Sequence, residues 1–236
     1  MLKSNIAKLP GGSLLRGGWP DEARLIIQEP LFRQLVQEFD LRGECLDAGC
    51  GEGLFAPFLN SFRKFDRIVH IDLQKPPAAR FQLDSRHTVA QGSIVDLPFA
   101  DGEFDFVFCT EVLEHIDEDK RAFAEIGRVL RPNDLALLST PTPPAPHDPA
   151  HVREGYTLAE MRERCATAQL EVLKHAYCFH ALMRFLLKIW RRQYELAGET
   201  KSRLPRAVVI AFADCDRWFP MGKAFDLIVV ARKLSI

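Results

Sequence analysis

No C-x-x-C pair, no repeated cysteine spacing and no apolar run of membrane-spanning length occurs in the 236-residue chain. Cys45, Cys50, Cys109, Cys165, Cys178 and Cys215 all lie in apolar surroundings. They read as buried free thiols of a reducing compartment, which argues against a disulfide frame or a zinc site. Glycine and proline break residues 1–20 before any signal-peptide core could form, so this segment reads as a flexible arm and the location as cytoplasmic. Neither sign of charge dominates: 31 Lys+Arg against 32 Asp+Glu leave a net charge of -1. Bulk attraction to nucleic acid or anionic lipid is thereby excluded, and any such binding must come from a local patch. Internal repeats are also missing. What remains is 47% hydrophobic and 27% charged, the composition of a soluble folded domain long enough to bury a large core.

Strand-like runs are expected at Cys45-Leu46, Arg67 to Asp72, Thr88 to Ala90, Phe104 to Cys109, Leu135 to Ser139, Glu171 to Phe179 and Phe225 to Ala231. Helical patterns lie between several of them. Asp21 to Phe39 suits helical pieces interrupted near Pro30, and Phe123, Ile126, Gly127 and Leu130 fall at i, i+3, i+4, i+7. Thr157-x-x-Glu160 has the form of a capping box. Such alternation implies an α/β fold, a parallel sheet with helices on both faces and ligands at the carboxyl ends of the strands. The proline-rich loop Pro141 to Pro149 follows a strand and therefore falls at that edge.

The sharpest local signal is the run from Cys45 to Gly53, C-L-D-A-G-C-G-E-G. A strand feeding alternating glycines lets backbone approach a ligand closely. The dinucleotide pattern G-x-G-x-x-G would need glycine where Leu54 stands, so hydride transfer is disfavoured. Asp72, followed by Leu73, closes the next strand, where a carboxylate can accept hydrogen bonds from ribose hydroxyls. Asp96 lies in D-L-P-F with Ile94 just before it, and Phe104 to His115 reads F-D-F-V-F-C-T-E-V-L-E-H.

With these residues in order, the chain resembles the class I S-adenosylmethionine-dependent methyltransferases, in the small-molecule subgroup with D-x-G-C-G-x-G and V-L-E-H. The resemblance is strong over about Leu41 to Pro141. It implies a Rossmann-like seven-stranded, mostly parallel sheet with an antiparallel last strand at Phe225 to Ala231, in a single domain over residues 1–236. Residues 41–141 would form the cofactor-binding half. Residues 142–236 would form the substrate side, with a helical insertion at 181–220. By the same resemblance Asp47, Gly49, Gly51 and Gly53 line the methionine and ribose part of S-adenosylmethionine, Asp72 and Leu73 meet the ribose, and Ile94 and Asp96 meet the adenine. Glu111 borders the reactive centre.

The acceptor is expected to be a small molecule, with an oxygen nucleophile weakly favoured by the acidic and histidine groups at this edge. Glu111, His115 and His151 are the catalytic candidates, with Glu114, His147 and Tyr156 beside them. Glu111-x-x-Glu114-His115 is similar to a metal-binding E-x-x-E-H of some O-methyltransferases, to which His151 could add a ligand. The competing reading, that V-L-E-H packs and caps the following helix, is preferred here, so no metal is assigned. Residues 181–196 form an amphipathic pattern: Leu182, Phe185, Leu186, Ile189 and Trp190 oppose Arg184, Lys188, Arg191 and Arg192. Packing is the first reading of that helix, and a lid or an anionic membrane contact the second. A cofactor-binding module without catalysis and an RNA 2′-O-methyltransferase are the alternative functions. The balanced charge and the lack of an N-P-P-Y-type motif argue against DNA.

Overall fold

The computed structural model describes residues 19–81, 83–146, 150–197 and 205–235. The expected arm lies outside them except for its end, because α1 (Trp19–Val36) already begins at Trp19. Pro20 suits a first helical turn, where a backbone N–H has no partner to lose. Pro30 does not interrupt α1, contrary to expectation. Ala23, Ile27, Phe32, Leu35 and Val36 are all buried in one apolar cluster. That packing outweighs the roughly 3 kcal/mol cost of an interior proline.

The chain continues through β1 (Gly43–Ala48), α2 (Ala56–Asn60), β2 (Phe65–Asp72), β3 (His87–Gln91), β4 (Phe104–Thr110), α3 (Asp119–Val129) and β5 (Leu130–Pro141). After α4 (Leu158–Thr167) and β6 (Leu170–Cys178), α5 (Ala181–Ala197) and α6 (Arg206–Trp218) precede β7 (Asp226–Lys233). One seven-stranded sheet results, in the order β3-β2-β1-β4-β5-β7-β6. β7 lies antiparallel to both β5 and β6, whereas the β1, β2, β3, β4 and β5 pairings are parallel. β5 runs farther in both directions than Leu135 to Ser139, since Leu130 already pairs with Phe104 and Pro141 pairs with Asp226.

Strand side chains alternate between two cores, as a period of two demands. Phe106 and Phe108 join α1, α2, α5 and α6 on one face. Val107 and Cys109 join α3 and α4 on the other. Phe32, Phe55, Phe58 and Phe108 form an aromatic knot with centroids 5.2–5.8 Å apart. The Thr157 capping box opening α4 is complete: Glu160 N–H donates to Thr157 Oγ1 at 3.2 Å and Thr157 N–H to Glu160 Oε2 at 2.8 Å.

Two sequence expectations about burial need correction. Cys45, Cys109, Cys165 and Cys178 are buried thiols, but Cys50 is half-buried and Cys215 exposed. On α5 the buried anchors are Met183 and Leu186, while Phe185 stands out in solvent.

Candidate functional site

The carboxyl ends of β1, β2, β4 and β5 and the start of β7 converge on one edge. The loop after β1 folds back at this edge through Gly49 N–H and Cys50 N–H, both donating to Ile71 O at 2.8 and 3.0 Å. Gly49 has φ +78°, and a Cβ there would stand 2.3 Å from Val112 Cγ2, so glycine is required for both conformation and space. Gly51 also has a positive φ, +50°, but a Cβ there would meet nothing within 4 Å. That open side is where a ligand can approach the backbone. Asp72 stands beside it, its carboxylate accepting from Gly51 N–H at 2.9 Å and Gln74 N–H at 3.0 Å. Leu73 is exposed, Ile94 is buried, and Asp96 is exposed within a short turn whose N–H donates to Ser93 O. Gly53 packs on Phe81.

Asp47 is held from behind by a buried relay that sequence reasoning missed. His70 Nδ1 lies 2.7 Å from Asp47 Oδ2, and its Nε2 lies 2.8 Å from His87 Nδ1. His87 Nε2 lies 3.2 Å from Asn60 Oδ1, an oxygen that also accepts from Arg86. An oxygen at that point makes His87 Nε2 the proton-bearing nitrogen and His87 Nδ1 an acceptor. Burial, then the neighbouring His70, push His87 down to about 4, so it stays neutral near pH 7. His70 Nε2 is then the donor to His87, and its Nδ1 faces the Asp47 carboxylate. A polar residue at a strand-interior position, H in V-H-I-D, was the available signal.

At the end of β4, Glu111 adopts φ 56°, a strained conformation for a residue with a long side chain. Its carboxylate accepts from Ser139 Oγ at 2.9 Å, Arg24 Nη2 at 3.3 Å and Gln28 Nε2 at 3.4 Å. Gln28 also donates to Asp226 Oδ2 at 2.7 Å. Gln28 and Asp226 were not anticipated, because Gln28 of α1 comes to Glu111 and to Asp226 of β7 only in the folded chain. Burial, followed by the Glu111 charge, holds the Asp226 carboxyl far above the usual range.

A second group forms around the 3-10 turn Leu113–His115. Glu114 is fully buried. Its Oε2 accepts from Thr140 Oγ1 at 3.3 Å while its Oε1 has no hydrogen-bond partner. That oxygen faces His115 Nε2 at 3.7 Å and His151 Nε2 at 4.0 Å. Burial, and then Glu111, push Glu114 up to about 8. His115 Nδ1 is 2.9 Å from Ala150 O and must donate to it, which leaves Nε2 as the free lone pair of the neutral ring. The rings of His115 and His151 meet edge to face at 4.6 Å.

The loop before α4 is tied over this turn. Val152 N–H donates to Glu114 O at 3.0 Å, and Arg153 Nη1 and Nη2 each reach an acceptor, Asp119 Oδ2 and Ile116 O, at 2.6 Å. Tyr156 is buried, and its hydroxyl donates to Asp119 Oδ2 at 3.0 Å. It fastens the loop and does not reach the acceptor edge, which corrects its candidacy. His147 lies outside the described residues.

Residues 46–138 match the methyltransferase domain family. Over those residues the chain is similar to that domain. It is 32% identical over 149 residues to a probable S-adenosylmethionine-dependent methyltransferase of Mycolicibacterium smegmatis, covering 58% of this chain and 55% of that protein. It is 30% identical over 134 residues to a malonyl-[acyl-carrier protein] O-methyltransferase of Methylovorus, covering 50% and 45%. The chain thus spans about half the length of these curated relatives. The crystal structure of an S-adenosylmethionine-dependent methyltransferase from Mesorhizobium loti shares the fold, with TM-score 0.61 and 16% identity over 92% of this chain and 100% of that one. The matched segment of the methyltransferase domain runs from the middle of β1 into β5. It includes the glycine loop, Asp72, Asp96, Glu111, Glu114 and His115. Arg24, Gln28, His151 and Asp226 fall outside it.

Proposed function

We propose that this protein transfers the methyl group of S-adenosylmethionine to an oxygen of a small-molecule acceptor. The observation carrying this reading is the convergence of Glu114, His115 and His151 at the strand edge that also bears the glycine loop and Asp72. When bound, the cofactor supplies an electrophilic methyl on a sulfonium leaving group. The chain's task is then orientation, which contributes up to roughly 7–11 kcal/mol in favourable cases, and removal of the acceptor proton. His115 Nε2 is the free lone pair at this edge and takes the hydroxyl proton; His151 flanks it. Glu114, whose carboxyl burial pushes up to about 8, keeps its own proton below that pH and so lends polarity to the edge without taking part in the transfer. Glu111 is a positioning residue, since its carboxylate is occupied by Ser139, Arg24 and Gln28.

The cofactor assignments carried over from the family resemblance, which the open side of Gly51 supports, are Asp47, Gly49, Gly51 and Gly53 beneath the methionine and ribose, Asp72 with Leu73 at the ribose, and Ile94 with Asp96 at the adenine. Calorimetry tests them: S-adenosylmethionine binds, NAD does not, and Asp72→Ala weakens binding by about 1–3 kcal/mol. Unchanged affinity in that variant rejects the ribose site. Transfer of labelled methyl to a metabolite extract, with the product identified by mass spectrometry, tests the acceptor class. A nitrogen- or carbon-linked product rejects the oxygen assignment.

A second reading has its own observation. Glu114, His115 and His151 offer ligand atoms within 4.8 Å of one another. The orphaned Glu114 Oε1, and a His115 whose other nitrogen is already tied to a carbonyl, suit a divalent cation. Such an ion would polarise an acceptor oxygen.

A further inference from the structure

The site edge continues onto a surface that the methyl-transfer reading leaves unused. α5 starts just beyond the carboxyl end of β6, and α6 ends just before β7 enters the sheet from that same side. Ala181 N–H donates to Met221 O at 2.9 Å, joining the two helix ends. Asp216 is spent on this junction, accepting from the N–H groups of His180, Leu182 and Met183.

Eight large apolar side chains stand exposed among the described residues, and four of them fall at this junction: Phe185 (56%), Trp218 (67%), Phe219 (69%) and Met221 (54%). Scattered apolar exposure needs no explanation, but a cluster at one edge does. Cations accompany it. A cavity of about 360 Å³ is lined by Pro144, Ala181, Arg184, Phe185, Lys188 and Lys223, three basic groups and no carboxylate. Arg184 lies over the Phe225 ring at 4.8 Å, and its buried Nη2 has no hydrogen-bond acceptor. Arg217 lies over Trp218 at 4.9 Å. Half-buried Asp214 is the α6 carboxylate nearest this end besides the capped Asp216.

An aromatic tip with a flanking basic cavity and an unfilled guanidinium donor has the chemistry of a phospholipid interface: apolar groups enter the acyl boundary and cations receive phosphate oxygens. We propose that the α5–α6 edge docks on an anionic lipid surface, Trp218, Phe219 and Met221 entering the interface and Arg184, Lys188 and Lys223 receiving headgroup phosphate. Pro144 carries the cavity onto the loop after β5, at the sheet edge where β5 ends. The balanced net charge does not oppose this, because the field is local within a Debye length of about 8–10 Å. Docking rests on α5, the end of α6 and the residues just after it, none of them assigned to methyl transfer, so it stands or falls separately from that reading.

Sedimentation of the full chain with phosphatidylcholine vesicles, with and without phosphatidylglycerol, tests it. Retention is expected only on the anionic vesicles and declines as sodium chloride rises. Lys188→Gln and Lys223→Gln each weaken retention about fivefold. Trp218→Ser combined with Phe219→Ser removes it, while thermal melting confirms that the variants fold. Lack of retention on phosphatidylglycerol overturns the proposal, as does retention that these variants leave unchanged. Displacement by inorganic phosphate at an ionic strength where chloride is ineffective would instead indicate a soluble phosphate site. Salt-sensitive binding of poly-glutamate without vesicle binding would indicate an acidic protein partner. Either result also overturns it.

Discussion

Glu114 is the residue at which burial and charge oppose each other most directly. Its carboxyl is pushed up to about 8 from an ordinary 4.5, first by burial and then by Glu111. Below about pH 4.5 both the folded and unfolded chains hold the proton, so the group contributes no pH dependence. Between there and pH 8 the unfolded chain ionises and the folded chain does not, so stability falls as pH rises. Glu114→Gln keeps the shape and removes the titration. Its melting temperature is expected to decline less than that of the unaltered chain between pH 5 and 8, and parallel declines would show that Glu114 is not the group responsible. Asp47 and Asp72 were visible in sequence because each ends a strand before a turn. The row of side chains behind Asp47 was not, since His70, His87 and Asn60 sit on three separate elements and meet only through the pairing of β2 with β3 and the packing of α2.

Among the elements, the segment from Ala150 to Thr157 illustrates how a loop positions chemistry. Gly155 has φ +104°, and a Cβ on it would lie 1.8 Å from Pro141 O, the same oxygen that accepts from Tyr156 N–H at 2.9 Å. Gly155→Ala is therefore expected to cost about 1–3 kcal/mol in backbone strain and to shift His151 away from Glu114. The effect would be read as a lower melting temperature together with a loss of methyl transfer larger than any change in cofactor affinity. Equal loss of both would place the loop under the cofactor. This element was half legible: the capping box fixed the start of α4 from four residues, whereas the loop's attachment through Arg153 and Tyr156 to Asp119 joins positions 34 and 37 residues apart. Continuity of α1 through Pro30 was misread for a related reason, because local propensity carries no information about the buried face of a helix.

For the whole molecule, the sheet order brings Glu114 and His115 after β4 beneath His151 before α4. The metal reading belongs to this scale. If a divalent ion binds there, manganese at about 100 times its dissociation constant adds roughly 2.7 kcal/mol of stability, and His151→Ala abolishes that gain. Calorimetry and thermal melting both report it without an activity assay, and equal melting with manganese and with chelator would exclude the site. The alternation of strands and helices, the glycine loop and the strand-end carboxylates were determined by sequence alone, because periodicity and φ requirements are local properties. The chain order of residues left open which distant groups would share one edge. Tertiary structure decided that Glu111 is bound by Arg24, Gln28 and Ser139, that Tyr156 is buried, and that Trp218 and Phe219 stand exposed at the end of α6 instead of inside a core. These outcomes depend on pairing and burial between elements far apart in the chain, where the gain from packing outweighs what each segment prefers by itself.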